Sequence, residues 1–267
     1  MKKIISWLFA KVPAGYLKDS IRKFYYNSFE KNEFDIDLNG NTWIMRYPDF
    51  TIHLSRRFFP YHVLRTNFLF LHHFPIGKVD LLVDAGAYIG TFICYVKKRF
   101  PHVEAVLAFE PDPANRSCLE ENLQLNGFGD AAVKEMGLWS KEETLSFYID
   151  QKLASSVVPG KGEQKKISIN VGALDSILNG VSGKRIFIKM NIEGAELKAL
   201  EGSRELIRNN KVHLAIAADH TVDGKLTVTA VEELCRSMGL SVSTFRIGRL
   251  ITVYASNEYA YDSPVTV

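Results

Sequence analysis

The sequence predicts an α/β protein built on a doubly wound, mostly parallel β-sheet. Three observations lead to this fold class. From residue 78 onward short apolar runs alternate with helical segments, and two of these runs end in Gly-rich turns. The last two runs are separated by only four residues, Arg246–Arg249. Alternating strands and helices are typical of parallel sheets, whereas so short a link joins antiparallel neighbours.

Each element of the sheet follows from this alternation. Five apolar runs are predicted to be strands: Val79–Val83, Val103–Phe109, Ala132–Leu138, Ile186–Met190 and Val212–Ala217. Four segments are predicted to be helices: Thr91–Phe100, Ala114–Leu125, Ala195–Arg208 and Val228–Met238. The runs Leu240–Phe245 and Leu250–Tyr254 are then expected to form an antiparallel pair at the C-terminal edge of the sheet.

An insertion around residues 144–170 separates the third strand from the fourth. Thr144–Ile149 and Lys165–Asn170 alternate like the strands of a hairpin. Ser155, Ser156 and the run Pro159–Gly162 lie between them. A loop of this length is either a lid over the active site or a solvated hairpin tip, and the sequence favours neither.

The first 75 residues are predicted to form a helical and β-hairpin extension to a domain that spans residues 76–267. Residues 1–31 have a helical pattern with a break at Pro13–Gly15. Phe34–Leu38 and Thr42–Tyr47 flank Asn39-Gly40, which is a strong hairpin turn signal. A further helical segment is expected at about 57–74, where Tyr61, His62, His72 and His73 are either a wall of the active site or histidines and tyrosines without a catalytic role.

The charge distribution limits the choice of partners. The net charge of +3 over 267 residues is too small for nucleic acid to be the main partner. Residues 1–31 contain seven Lys and Arg against two acidic residues, so the rest of the chain is slightly acidic. The basic N-terminus is expected either to pack on its own domain or to contact a membrane surface. Three widely spaced cysteines fit a reducing cytoplasm.

Two acidic residues at strand ends point to a ligand. Asp84 begins the loop Asp84–Gly90, whose Gly86 and Gly90 allow close backbone approach. Glu110 ends the second strand, where a carboxylate can accept hydrogen bonds from a ribose diol. A carboxylate on the first loop suits an amine rather than a phosphate, and the G-x-G-x-x-G spacing of pyrophosphate loops is missing. S-adenosylmethionine combines an adenosine ribose with an amino-acid ammonium group.

Four segments resemble the FkbM-type S-adenosylmethionine-dependent methyltransferases. They are VDAGAYIGTF, AFEPDPANRSCLEENLQLNG, GLWSKEETLSFYI and IKMNIEGAELKALEGS, in the order found in that family, and they cover about residues 80–220. The resemblance implies a Rossmann-like methyltransferase fold and S-adenosyl-L-methionine as cofactor. It also implies O-methylation of a hydroxyl on a sugar, glycan or related small molecule.

The resemblance also implies a cofactor site along three loops. The methionine part would contact Asp84, Gly86, Ala87, Tyr88 and Gly90, and the ribose would contact Glu110 with Pro111, Asp112 and Asn115 nearby. The adenine would approach Gly137, Leu138 and Trp139. Structural alternatives stay open at several positions, since Asp84 could cap a helix, Asn115 could belong to a helix start and Trp139 could be plain core.

The loop after the fourth strand raises a question about catalysis. The family commonly has Asp where this chain has Asn191, and an amide cannot accept the proton of an attacking hydroxyl. Glu193, Glu196 or His220 could serve as the base instead. Alternatively, Asn191 orients the hydroxyl while water takes the proton. No metal is predicted, because the carboxylates around this loop are too few.

The leading hypothesis is therefore an S-adenosylmethionine-dependent O-methyltransferase of the cytoplasm or the membrane periphery. Its acceptor is expected to be a small molecule, a sugar or a lipid-linked glycan, and no nucleic-acid partner is expected. The alternative is a catalytically silent protein that binds S-adenosylmethionine or serves as a scaffold, which the asparagine at position 191 motivates.

Overall fold

The computed structural model describes residues 15–29, 34–55, 67–75, 77–149 and 165–261. The strands, numbered in chain order, are β1 (Asp35–Asn39), β2 (Thr42–Arg46), β3 (Thr51–Ser55), β4 (Val79–Ala85), β5 (Val103–Phe109), β6 (Ala132–Lys134), β7 (Gly137–Leu138), β8 (Glu143–Ile149), β9 (Lys165–Gly172), β10 (Arg185–Met190), β11 (Lys211–Ala217), β12 (Thr221–Val222), β13 (Lys225–Leu226), β14 (Ser241–Ile247) and β15 (Leu250–Ser256). The α-helices are α1 (Tyr16–Phe29), α2 (Thr91–Arg99), α3 (Pro113–Leu125), α4 (Leu174–Ile177), α5 (Glu196–Glu201), α6 (Arg204–Asn209) and α7 (Val228–Ser237), and Asn67–Leu71 is a 3₁₀ helix.

The main sheet confirms the predicted fold class. Its seven strands lie in the order β14-β15-β11-β10-β4-β5-β6. The pairs from β11 to β6 are parallel, and β15 pairs antiparallel with both β11 and β14. From β4 the chain moves outward to β5 and β6, and from β10 it moves the other way to β11. This reversal between β4 and β10 creates the crevice at the carboxyl ends of the strands where such sheets bind ligands.

Two predicted elements are wrong in their extent. The third strand, predicted as Ala132–Leu138, divides into β6 in the main sheet and β7 in a separate sheet of order β7-β9-β8. The helix predicted at Ala195–Arg208 divides into α5 and α6 at Gly202. A Cβ atom at Gly202 would lie 2.3 Å from the carbonyl oxygen of Trp139, so the chain turns where it passes this backbone.

The N-terminal extension contains a three-stranded antiparallel sheet of order β1-β2-β3. The β1–β2 hairpin was predicted, and Gly40 adopts the positive φ of its turn. Strand β3 was not predicted, although Ile52 and Leu54 alternate with polar residues and are buried. Five residues with two apolar positions are too short a pattern to identify a strand by periodicity.

Several sequence predictions fall outside the described residues. They include the helix at 1–14 with its basic residues, the segment 56–66 with Tyr61 and His62, and the tip of the insertion with Ser155, Ser156 and Pro159–Gly162. Within the described part of the chain, no helix is long and apolar enough to span a membrane.

The N-terminal sheet and one face of the main sheet share a hydrophobic core. Trp43, Met45 and Ile52 belong to the same buried cluster as Ile93 of α2 and Leu119 of α3. A second cluster on the opposite face packs β10 and β11 against α5, α6 and α7. The boundary at residue 75 stays a prediction, and the shared core shows that the extension packs tightly on the domain that follows it.

Candidate active site

The Gly-rich loop between β4 and α2 folds across the end of β5. The backbone N–H groups of Gly86 and Ala87 both donate to the carbonyl of Phe109 at 3.0 Å. Gly86, Tyr88 and Gly90 all have positive φ values, 75°, 53° and 83°. A positive φ is ordinary for glycine and unfavourable for tyrosine, so the surrounding contacts must hold this loop in place.

Gly86 is required by the close approach of the loop after β10. A Cβ atom at this position would lie 2.1 Å from the carbonyl oxygen of Asn191. The N–H of Asn191 donates to the carbonyl of Ala85 at 3.1 Å, which joins the two loops. The first and third predicted site loops therefore meet at the point where the strand order reverses.

The sequence predicted Asp84 at the start of the Gly-rich loop, but the structure places it within strand β4. Its side chain has no exposed surface and forms an ion pair with Lys189 of β10 at 2.9 Å. Burial raises the pKa of the Asp84 carboxyl, and the Lys189 ammonium opposes that rise. Lys189 contacts one oxygen of this carboxylate, Oδ1. A direct contact between Asp84 and a ligand amine stays a prediction.

Lys189 is a site residue that sequence reasoning missed. Its ammonium donates to the carbonyl of Gly86 at 2.7 Å and lies 5.5 Å from the ring centre of Phe70 and 5.8 Å from that of Phe92. The signal in the sequence was a single lysine within the apolar strand Arg185–Met190, at the position that the register sets beside Asp84. A buried lysine of this kind needs a carboxylate partner.

Glu110 joins the first loop to the second. Its carboxylate accepts hydrogen bonds from the N–H groups of Tyr88 at 2.9 Å and Asp112 at 3.0 Å, and also from the side chain of Asn115. Burial raises the pKa of Glu110 to about 7, against the effect of these hydrogen bonds. A carboxylate has about four lone-pair sites, so it can still accept from a ligand hydroxyl.

The residues after Glu110 build the start of helix α3. Asp112 is the N-cap and accepts from the N–H groups of Ala114 at 2.8 Å and Asn115 at 3.3 Å, and Pro113 occupies the first helical turn. Asn115 is buried and, through its bond to Glu110, belongs both to the helix start and to the candidate site. Contacts from Pro111, Asp112 or Asn115 to a cofactor stay predictions.

The predicted adenine segment lies between the main sheet and the insertion. Leu138 is buried in the cluster under α5 and α6, whereas Trp139 packs partly buried against Phe147 and Ile169 of the insertion. The N–H of Trp139 donates to the carbonyl of Gly172 at 2.8 Å. The contact of Gly137, Leu138 and Trp139 with adenine stays a prediction.

The four predicted catalytic residues follow β10 and β11: Asn191 and Glu193 lie in the loop after β10, Glu196 begins α5 and His220 lies in the loop after β11. The ring of His220 lies between Glu193, at 3.4 Å from Nε2, and Glu196, at 3.1 Å from Nδ1. Burial disfavours the imidazolium, yet hydrogen bonds to Glu193 and Glu196 raise the pKa of His220 to about 11. The two carboxylates favour the protonated imidazole, which has no lone pair to accept a proton, and a role for His220 as general base stays a prediction.

Glu193 and Glu196 differ in their freedom to react. Glu196 is fully buried and accepts from the N–H groups of Ile192 and Gly194, both at 3.0 Å. The side chain of Glu193 is 31% exposed. The backbone of Glu193 has a positive φ of 55°. Tyr88 and Glu193 therefore place backbone strain on both sides of the crevice, which is a frequent feature of functional sites.

The crevice fits S-adenosylmethionine in two respects. Glu110 offers a buried carboxylate to a ribose hydroxyl at the end of β5. The hydroxyl of Thr91, the first residue of α2, is buried and has no hydrogen-bond partner among the residues that the structure describes. In the same part of the chain, no group of three or more His, Cys, Asp or Glu side chains could hold a metal ion.

The fold and crevice are those of α/β proteins that bind ligands at the carboxyl ends of their strands, and comparisons with known proteins define the family. The FkbM methyltransferase domain matches residues 84–240. Because this match covers more than half of the chain, the protein belongs to the FkbM methyltransferase family, as the sequence motifs predicted, and is a methyltransferase. Membership implies S-adenosylmethionine as the methyl donor.

Individual relatives agree with this family. Methyltransferase 1 of Beauveria bassiana (strain ARSEF 2860) is 26% identical over 198 residues, 64% of this chain and 76% of the relative. Methyltransferase sdnD of Sordaria araneosa is 32% identical over 165 residues, 48% of this chain and 63% of the relative. The crystal structure of methyltransferase FkbM from Methylobacillus flagellatus KT is similar in fold, with 24% identity and a TM-score of 0.52. The similarity covers 70% of this chain but 47% of that one.

Proposed function

We propose that this methyltransferase transfers the methyl group of S-adenosylmethionine to a hydroxyl of a sugar, a glycan or a related small molecule. The observation that carries this proposal is the carboxylate of Glu193. It is partly exposed beside the crevice and is held by the imidazolium of His220. A hydroxyl needs an acceptor for its proton as it attacks, and Glu193 supplies one where Asn191 cannot.

Bound S-adenosylmethionine supplies an electrophilic methyl group on a sulfonium. The residues of this chain have separate tasks in the proposal. Glu110 accepts from the ribose, and Lys189 keeps Gly86 and the first loop against the end of β10. Asn191 orients the acceptor hydroxyl, and Glu193 takes its proton. His220 stays protonated and fixes the position of Glu193. Orientation of the reacting atoms is expected to supply most of the rate.

A labelled-methyl assay tests this function. The purified protein is incubated with S-adenosylmethionine carrying an isotopic methyl label and with panels of sugars, glycans and lipid-linked glycans. We expect a labelled methyl ether and one equivalent of S-adenosylhomocysteine. Glu193→Gln is expected to lower kcat by about 10²-fold without weakening cofactor binding. Labelled amine or carbon products, with hydroxyl acceptors inert, would contradict O-methylation.

Asn191 favours a second candidate, a member of the family that binds the cofactor without turnover. In that case S-adenosylmethionine and S-adenosylhomocysteine would bind, but no acceptor in the panels and no fraction of a cell extract would receive the labelled methyl group. Asn191→Asp separates the two cases. If the wild type is active, this substitution should change kcat and leave cofactor affinity nearly unchanged, whereas a silent wild type would gain activity only from the added carboxylate.

A further inference from the structure

Two asparagines at the C-terminal end of helix α3, Asn122 within it and Asn126 directly after it, hold the backbone of strand β3. Asn122 Oδ1 accepts from the N–H of His53 at 2.7 Å, and its Nδ2 donates to the carbonyl of His53 at 2.9 Å. One turn later Asn126 makes the same pair of bonds with Thr51, at 3.0 and 2.7 Å. The side chains thus bond the edge of β3 in the way that a neighbouring strand would.

Asn122 differs from Asn126 because its side chain also contacts the Gly-rich loop between β4 and α2. Its Nδ2 group donates a second hydrogen bond to the carbonyl of Ile89 at 2.9 Å, and the side chain is fully buried. Ile89 lies between Tyr88 and Gly90, both of positive φ. The loop conformation is therefore held at the N–H of Tyr88 by Glu110 and at the carbonyl of Ile89 by Asn122.

We infer that Asn122 is a positioning residue for cofactor binding, through which the N-terminal sheet holds the Gly-rich loop in its binding conformation. The hydrogen bond from Asn122 Nδ2 to the carbonyl of Ile89 is buried, so water cannot replace the amide there without movement of the loop. The tyrosine at a positive φ makes other loop conformations accessible once this bond is lost. The inference rests on the proposed cofactor site.

Matched variants separate positioning from simple stabilisation. Asn122→Ala removes the contacts to β3 and to Ile89. Asn126→Ala removes the equivalent contacts to β3 together with those from Nδ2 to the carbonyl of Asn122 and to Cys94, and none of these reaches the Gly-rich loop. Affinity for S-adenosylmethionine is measured by calorimetry, kcat and KM by the labelled-methyl assay, and stability by urea unfolding. We expect Asn122→Ala to raise both Kd and KM for the cofactor about tenfold, because the loss of one buried hydrogen bond costs about that much binding free energy. The kcat should change less than twofold. Asn126→Ala should leave Kd unchanged at a similar loss of stability.

Hydrogen exchange supplies a readout that a purely structural role would not move. The N–H of Gly90 bonds to the carbonyl of Ala87 within the loop, and its exchange should become faster in Asn122→Ala but not in Asn126→Ala. If Asn122→Ala does not fold, Asn122→Ser is measured in its place. Equal effects of the two asparagine variants on Kd and exchange would overturn the inference. A wild type that binds no cofactor would overturn the proposed function and the inference with it.

Discussion

At the scale of single residues, the site depends on carboxylates whose surroundings differ. Glu110 is buried and accepts from backbone N–H groups, Glu196 is buried beside a cation, and Glu193 is partly exposed. These environments assign separate tasks to chemically equivalent side chains. The sequence identified all three residues, but their tasks follow from contacts between loops that are far apart in the chain.

The raised pKa of Glu110 predicts a pH dependence of cofactor binding. Since burial raises this pKa to about 7, the carboxyl becomes protonated as pH falls from 8 to 6 and becomes a weaker acceptor for the ribose. We expect the Kd for S-adenosylmethionine to rise over this range. Glu110→Gln should bind at least about tenfold more weakly at pH 8 and show no such dependence. Calorimetry across the range checks both, and identical pH profiles for the two proteins would contradict this role.

His220 predicts a pH dependence of stability of definite sign. Its pKa in the folded protein is raised above the unfolded value, so its contribution is complete below about pH 6.5 and is lost as pH rises toward 11. His220→Gln is expected to reduce the free energy of unfolding by ~2 kcal/mol at pH 6. Urea unfolding should show that this difference shrinks at pH 9 to 10. A difference that grows with pH would show that His220 is neutral in the folded protein.

At the scale of elements, strands β4 and β10 meet through a buried ion pair. Asp84 and Lys189 are register partners in neighbouring strands, and both are almost without exposure. An ion pair of this kind stabilises little relative to apolar residues, but a single member left alone is costly. Lys189 also donates to the carbonyl of Gly86, so the same residue joins the ion pair to the first turn of the loop that follows β4.

Lys189→Met tests this arrangement. The substitution leaves Asp84 buried without a counter-charge and is expected to reduce the free energy of unfolding by about 3–5 kcal/mol. The double variant with Asp84→Leu should recover most of this loss while cofactor binding stays weak, because Gly86 has lost its donor. Urea unfolding and calorimetry on both proteins check these expectations. If the single and double variants are equally unstable, the unpaired charge of Asp84 is not the cause of the lost free energy of unfolding.

The sequence predicted most elements of the sheet because alternating apolar runs and Gly-rich turns are local signals. It failed where a distant contact decides the structure. The helix after β10 divides at Gly202, where the backbone of Trp139 leaves no room for a Cβ atom, and β7 leaves the main sheet to pair with β9 of the insertion. Lys189 and the surroundings of His220 were missed for the same reason. Lys189 pairs with Asp84 of β4, and His220, which follows β11, lies between Glu193 and Glu196, which follow β10.

At the scale of the whole molecule, the extension and the methyltransferase domain form one packed structure. Asn122 of α3 and Asn126 directly after it hold β3, and the same helix begins at the loop after β5 that contains Glu110. The acceptor and any contact of the basic N-terminus with a membrane stay proposals. Binding of vesicles that contain anionic lipid, lost when residues 1–14 are removed, would support the membrane contact, and binding that survives the removal would place it elsewhere.

Titration calorimetry with S-adenosylmethionine tests the central claim most directly, that the crevice formed by β4, β5 and β10 is the cofactor site. We expect one site per chain for the wild type, binding of S-adenosylhomocysteine at the same site, and at least about tenfold weaker binding after Glu110→Ala. Asn126→Ala, which retains Glu110 and Asn122, is the control and should bind as the wild type does. Undiminished binding by Glu110→Ala, or no binding by the wild type, would contradict the claim that this crevice is the cofactor site.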